Sequence, residues 1–273
     1  MEPKVLIGCP VSKHHEYSTE AYIEHLKKLD YPNHNILLVD NSDTDEFYNK
    51  FKDRINIARA GQQFQSIKKK ITYCRNVLRK KVLDENYDYF FSVEQDVLVP
   101  ADALKQLMSH NKDIVSGVYY NHLQRDGREL KLPIAYGWFN EKQQNAILQD
   151  KDLLKQKNPK LYDALVKENW NFQNIRRQLT EDEVSSNKLM EVKMCGVGCM
   201  LIRKSVLEKV EFRENPDGFD DVVFCKDVAE KLKLKIYLDT AVKCEHLVKE
   251  KPWRWATDGK EFFVTYKNNF NGS

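Results

Sequence analysis

Apolar positions along this chain fall into two alternating textures. Short apolar runs that end in Gly, Pro, Asn or Asp predict buried strands, as in "KVLIGCPVS", "NILLVDNSDTD", "YDYFFSVEQD" and "DIVSGVYYN". Between them lie segments with helical spacing. "STEAYIEHLKKLDYP" puts Tyr22, Ile23, Leu26 and Leu29 on one face, with Ser18 or Thr19 as its cap. "QSIKKKITYCRNVLRKKVLDENY" repeats the pattern at Ile67, Ile71, Cys74 and Leu78, and "PADALKQLMSHN" opens on Pro100. A weaker strand signal lies near "INIARA". Strands alternating with helices predict an α/β fold, a mostly parallel central sheet flanked by crossover helices.

From about Glu141 to Met190 the texture turns polar and helix-rich, with Pro159 splitting it. The expected organisation is therefore one domain over 1–273. A first half (1–118) is followed by a helical insertion (141–190), a second half (191–248) and a tail (249–273). In the second half, "MCGVGCMLIRKSVLEKV" predicts a glycine-punctuated turn, a strand and a helix capped near Lys204 or Ser205. "DDVVFCKDVAEKLKLKIYLDTAVKCEHL" predicts helix, strand, turn and strand, ending at His246.

Composition narrows the class. The 273 residues are 41% hydrophobic and 31% charged, as in an ordinary globular protein with a hydrated surface. A net charge of +3, with lysines spread along the chain, argues against a nucleic-acid partner. The six cysteines show no CxxC pair and sit in apolar contexts, which predicts reduced core thiols and a cytoplasmic protein. No apolar leader or spanning helix is evident, while the basic aromatic "KEKPWRW" leaves peripheral contact with a membrane open.

Candidate chemistry gathers where strands end. Glu94, Gln95 and Asp96 follow an almost fully apolar run, and an unpaired carboxylate there is costly unless the strand opens into a crevice. Further polar clusters follow Pro10 to His15, Asp40-Asn41-Ser42, Asp220-Asp221 and Glu245-His246. A parallel sheet delivers such strand ends to one rim. Carboxylates suit Mg2+, and carboxylate with imidazole suits Mn2+.

In order, "LLVDNSDTD", "CRN", "FFSVEQD", "CGVGCMLIRKSVLEKV", "DDVVFCKDV" and "AVKCEHL" resemble the nucleotide-sugar glycosyltransferases of the GT-A fold, family 2 above all. The resemblance spans about Val5 to His246, apart from the insertion. It implies a GT-A (Rossmann-like) sheet and metal-dependent transfer from a UDP- or GDP-sugar to a hydroxyl on a glycan, lipid-linked or protein acceptor. Asp40 would meet the base, with Pro10 and Val11 lining that pocket. Arg75 would reach base or phosphates, Glu94 the ribose or nearby sugar, and Asp96 with His246 the metal, with Gln95 among the donor-binding residues. Cys195, Gly196, Val197 and Gly198 would run close to the sugars. Asp221, or else Asp220, would take the acceptor's proton, since an alcohol attacks poorly until its proton is removed. The departures are Glu-Gln-Asp in place of Asp-x-Asp and Asp-Asp in place of Glu-Asp. Alternatives kept open are a sugar-1-phosphate nucleotidyltransferase and a nucleotide- or glycan-binding protein without catalysis; among partners, a second copy of the chain, as a homo-oligomer, is left open.

Overall fold

The computed structural model describes residues 2–61, 64, 66–125, 128–215 and 218–247, with side chains left out for 122–125 and 128–130. The tail from 249, with Trp253, Arg254 and Trp255, lies outside the described residues.

Seven strands form the central sheet: β1 (Val5–Gly8), β2 (His34–Ile36), β3 (Tyr89–Val93), β4 (Ile114–Val118), β5 (Leu189–Val192), β6 (Cys199–Arg203) and β7 (Ile236–Lys243). Their spatial order is β5-β7-β4-β6-β3-β1-β2. β2, β1, β3, β4 and β7 run one way, while β6 lies antiparallel between β3 and β4 and β5 runs antiparallel on the edge. The mostly parallel sheet expected from the alternating textures is present. Its two reversed strands were not predicted.

Strand alternation explains the two-sided core. Phe91 of β3 packs on one face with α1 (Glu16–Lys27) and α3 (Ala103–Ser109). Its neighbour Phe90 packs on the other with α2 (Ile67–Asp84) and α4 (Asp220–Lys231). With both faces covered, β3 is apolar except for the buried Ser92, and the first polar side chains with access to a crevice come where it ends.

Two helix expectations are corrected. α1 begins at Glu16, so Ser18 and Thr19 lie inside it, fully buried, and their hydroxyls donate back to the His15 carbonyl. Ser66 caps α2 by accepting from the Lys69 amide, and Ile67 is 72% exposed rather than part of the buried stripe.

The insertion carries helices Glu141–Gln149, Lys151–Lys157 and Pro159–Lys167, packed round Phe139, Ile147, Leu154, Leu161, Leu165 and Phe172. It returns through Arg177–Gln178, which joins a small sheet with Ala135–Gly137 and Met194–Cys195. A second small sheet, parallel, pairs Pro10–Val11, Leu38–Asp40 and Ile57–Arg59. No helix among the described residues is long and apolar enough to cross a membrane.

Candidate active site

The turn after β3 is where separated segments meet. Just beyond Glu94, Gln95 and Asp96, the chain forms a two-residue ladder, Val97–Leu98 against Glu245–His246, in which Val97 faces His246. Leu247 donates its amide to the Asp96 carbonyl at 2.8 Å. That register brings His246 Nε2 to 3.4 Å from Asp96 Oδ2. The imidazole orientation is fixed from behind, because Nδ1–H donates to the Tyr120 carbonyl at 2.8 Å. In the neutral ring, Nε2 then presents a lone pair toward a carboxylate oxygen, an arrangement that a proton or a shared cation between them would stabilise. Burial pushes the Asp96 carboxyl up, but the bond and charge of His246 and the charge of His15 bring it below the ordinary value. Burial lowers His246, and Asp96 more than offsets this, leaving it raised.

His15 approaches the same carboxylate oxygen of Asp96, Nδ1 to Oδ2 3.6 Å. Gln95 holds it there. Its side chain accepts from the Ser12 amide at 2.8 Å and donates to the Ser12 carbonyl and, at 2.7 Å, to Thr19 Oγ1. Burial lowers His15 in opposition to the Asp96 charge. Among the described residues no set of three or more His, Cys, Asp or Glu side chains is arranged to hold a metal ion. Asp96 with His246 supplies two donors, and two protein donors fit a hard divalent cation whose remaining positions go to phosphate oxygens and water.

A second group surrounds Arg75, projecting from α2. Its Nη2 donates to Glu94 Oε1 at 2.6 Å and Nη1 to Ser92 Oγ at 3.3 Å. Nε lies 3.0 Å from Asp220 Oδ2, a close charge contact that lacks the alignment of a hydrogen bond. Arg75 and Asp220 are both buried. Burial disfavours the Arg75 charge, yet Asp220 and Glu94 together raise its pKa above the ordinary arginine value. Asn76, next in the chain, exchanges two hydrogen bonds with the Phe212 backbone and so ties α2 to the segment before α4.

Asp221 follows Asp220 at the start of α4, half-buried, with Oδ1 accepting from the Val222 amide. Burial, then the charges of Asp220 and Glu94, push its carboxyl up to about 7 against the pull of Arg75. Three acids thus share one guanidinium. Glu94 and Asp220 pair with it, and burial still raises the Glu94 carboxyl against the pull of Arg75, while Asp221 is raised to about 7.

Cys195 to Gly198 run past this group. The space beside Gly196 and Gly198 is filled by the Tyr119 phenol. A Cβ at Gly196 would lie 2.0 Å from the Tyr119 hydroxyl oxygen, and one at Gly198 2.6 Å from the phenol's Cζ. Gly198 N–H donates to that hydroxyl at 3.0 Å, and Glu94 N–H donates to the Gly198 carbonyl at 3.1 Å. The Tyr119 ring meets His246 edge-on, centroids 5.5 Å apart. Val197 is buried, as is Cys195, whose carbonyl accepts from Cys225 Sγ.

Asp40 sits on the adjoining small sheet, beside Pro10 and Val11. It is fully buried, with Oδ1 accepting from the Ser42 amide at 2.8 Å and Oδ2 from Arg59 Nη1 at 2.7 Å. The 12–15 loop links this corner to the rim, since Lys13 N–H donates to Ser42 Oγ while Ser12 engages Gln95.

Sequence reasoning singled out the acids with Arg75 and His246, and missed Tyr119 and Arg59. Tyr119 closes "DIVSGVYYN" and Arg59 closes "INIARA", so both occupy strand exits, the signal that marked the acids.

No protein-family model and no curated protein matches the chain. Solved structures do. The mannosyltransferase PcManGT from Pyrobaculum calidifontis, in complex with GDP-Man and Mn2+, is similar over 100% of this chain and 66% of its own, at 14% identity and TM-score 0.57. S. aureus TarS 1-349, in complex with UDP-GlcNAc, is similar over 91% of this chain and 59% of its own, at 13% identity and TM-score 0.49. The chain spans less than two thirds of either neighbour's length. The likeness to the mannosyltransferase shows the fold, which is of the GT-A type.

Proposed function

We propose that this GT-A chain is a divalent-cation-dependent glycosyltransferase, moving a hexosyl group with inversion from a UDP- or GDP-sugar to an acceptor hydroxyl. The observation that carries the reading is the register of the Val97–His246 ladder. It sets the imidazole against Asp96 at the same rim as the Arg75 cluster and Asp221. The solved neighbour of the same fold, in complex with GDP-Man and Mn2+, supports the donor class and the cation.

Asp96 and His246 would hold the cation, which when bound neutralises charge on the diphosphate leaving group. His15, at the start of α1 and facing Asp96, lies on the diphosphate side. Asp40, with Arg59 bonded to it, would form the polar wall of the base pocket beside Pro10 and Val11.

The base is Asp221 rather than Asp220. Asp220 is committed to Arg75 in the interior, whereas Asp221 reaches solvent and has a carboxyl raised to about 7. A base with a pKa near the working pH is present as carboxylate while retaining affinity for the proton it removes. Arg75 then acts through its partners, fixing Glu94 at the strand end and the first turn of α4. Attack from the Asp221 side, with the diphosphate leaving toward Asp96, would be in line and would invert the anomeric centre. The acceptor hydroxyl would be carried by a glycan, a lipid-linked saccharide or a protein.

Incubation of the full chain with Mn2+ and a panel of nucleotide sugars tests the reading. Release of nucleoside diphosphate, abolished by EDTA and by Asp96→Ala, is expected. Exchange of pyrophosphate with a nucleoside triphosphate, or no release from any donor, would overturn it.

A further inference from the structure

We propose that Arg176, with Lys193 beside it, is an oxyanion-binding site on the acceptor side of the cleft, and that the acceptor carries a phosphate or carboxylate near the hydroxyl that attacks. This inference rests on the transferase reading and adds to it the chemical class of the acceptor.

Arg176 is set apart by its partners. Of the arginines with described side chains, six (Arg54, Arg59, Arg75, Arg177, Arg203 and Arg213) meet a carboxylate. Arg79 donates to the Leu207 and Val210 carbonyls. Among the described residues Arg176 has no oxygen partner. Its one hydrogen bond goes to Met194 Sδ at 2.8 Å, and its guanidinium lies over the Tyr136 ring, 5.0 Å from the centroid. Its neighbour Arg177 shows the contrast, bonded to both oxygens of Glu183 and to the Trp138 carbonyl. A guanidinium carries five N–H donors in a planar fork that matches carboxylate and phosphate, and here nearly all of them lack an acceptor.

Lys193 makes the site more cationic and holds its shape. Its ammonium donates to the carbonyls of Gln173 and Ile175, pinning the loop from which Arg176 projects. It too meets no carboxylate among the described residues. Burial first, and then the charge of Arg176, lower the Lys193 pKa to about 8. The charge of Glu168 offsets only part of this, so the two cations still repel one another, a cost that a bound anion would reduce.

The position ties the pair to the chemistry. Tyr136, under Arg176, pairs with Met194 in the small sheet, and Met194–Cys195 leads directly into Gly196–Gly198. The Cys225 thiol of α4, one turn beyond Asp221, bonds the Cys195 carbonyl on that same strand. Burial raises the Tyr136 phenol, with Arg176 pulling it down and Asp221 pushing it up, so guanidinium and base act on one ring. An anion on Arg176 would hold an acceptor against the wall that carries Asp221 and Gly196–Gly198, away from Asp96 and His246.

The test is calorimetric titration of the full chain, without metal, with glucose 6-phosphate, glucuronate and glucose. Both charged sugars are expected to bind at least about tenfold more tightly than glucose. Arg176→Gln should abolish that ratio, Arg176→Lys should retain part of it, and Arg203→Gln, whose residue is paired with Asp113, should leave it intact. Unchanged thermal midpoints show that the Arg176 variants fold. Equal affinity for charged and neutral sugars in the unaltered chain, or a preference that survives Arg176→Gln, would overturn the site. Absence of nucleoside diphosphate release from any donor overturns the transferase reading instead, and the binding ratio still judges this one.

Discussion

Arg75 Nε and Asp220 Oδ2 face each other at 3.0 Å in the protein interior, and this contact separates the duties of two adjacent aspartates. Removing the guanidinium would leave the Asp220 carboxylate buried without a partner and Glu94 without its bond. Arg75→Gln should therefore lower unfolding stability by about 3 kcal/mol or more at pH 7.5, read from the denaturant midpoint. A loss below about 1 kcal/mol, the size of an exposed pair, would show that the contact is not the buried brace described.

Asp221→Asn should lower turnover by about 100-fold to 10,000-fold while nucleotide binding stays as it was, because a positioned base contributes about that much. Asp220→Asn should chiefly affect stability. Wild-type turnover in Asp221→Asn would remove it as the base.

Turnover should depend on pH with a definite sign. The base acts ionised, and its carboxyl is raised to about 7, so the rate should climb through pH 7 and level off above pH 8. Removing the Asp220 charge withdraws one upward push, so Asp220→Asn should move the rising limb to lower pH. Stability runs the other way. A folded-state pKa above the unfolded one means that ionising Asp221 costs stability as pH rises from about 4 to about 7. Asp221→Asn should accordingly melt higher than the unaltered chain at pH 8, and equal melting at pH 5 and pH 8 would contradict the raised pKa.

Mn2+ should raise the melting temperature in the presence of a nucleoside diphosphate more than either ligand alone, since each would bind the native state through the other. Asp96→Ala and His246→Ala should each remove the extra shift. Retention in both would place any cation elsewhere.

Gly196→Ala should destabilise by about 1–3 kcal/mol, the usual range for overpacking, since its methyl would fall 2.0 Å from the Tyr119 hydroxyl oxygen. In a Tyr119→Phe background the same change should cost less, because that oxygen is gone. Equal costs in a double-mutant cycle would show that the phenol does not require the glycine.

Much of this organisation can be read locally. β3 is apolar apart from Ser92 because helices cover both its faces, so the first acids after it mark the point where the sheet opens. The GT-A sheet follows from the alternation of strand runs with helical spacing. Ser18 and Thr19 were misleading. They have cap chemistry but sit inside α1, where Thr19 serves Gln95 instead. Ile67 has the spacing of a core residue but lies in the first turn of α2, beyond the sheet it would pack on. Tyr119 and Arg59 lie at strand exits but carry no acid, and nothing local separates Arg176 from the adjacent Arg177, so their roles depend on contacts between distant segments.

The sequence by itself determined the strand and helix textures, and it placed carboxylates and imidazoles where strands end. Those properties depend on spacing and burial along a few residues. Only the tertiary structure decided which of these groups meet. The Val97–His246 register brings imidazole to carboxylate, and the packing of α4 on α2 gives Arg75 to Asp220 and leaves Asp221 free. Charge coupling falls off within a few ångströms in space, and distance along the chain does not report it.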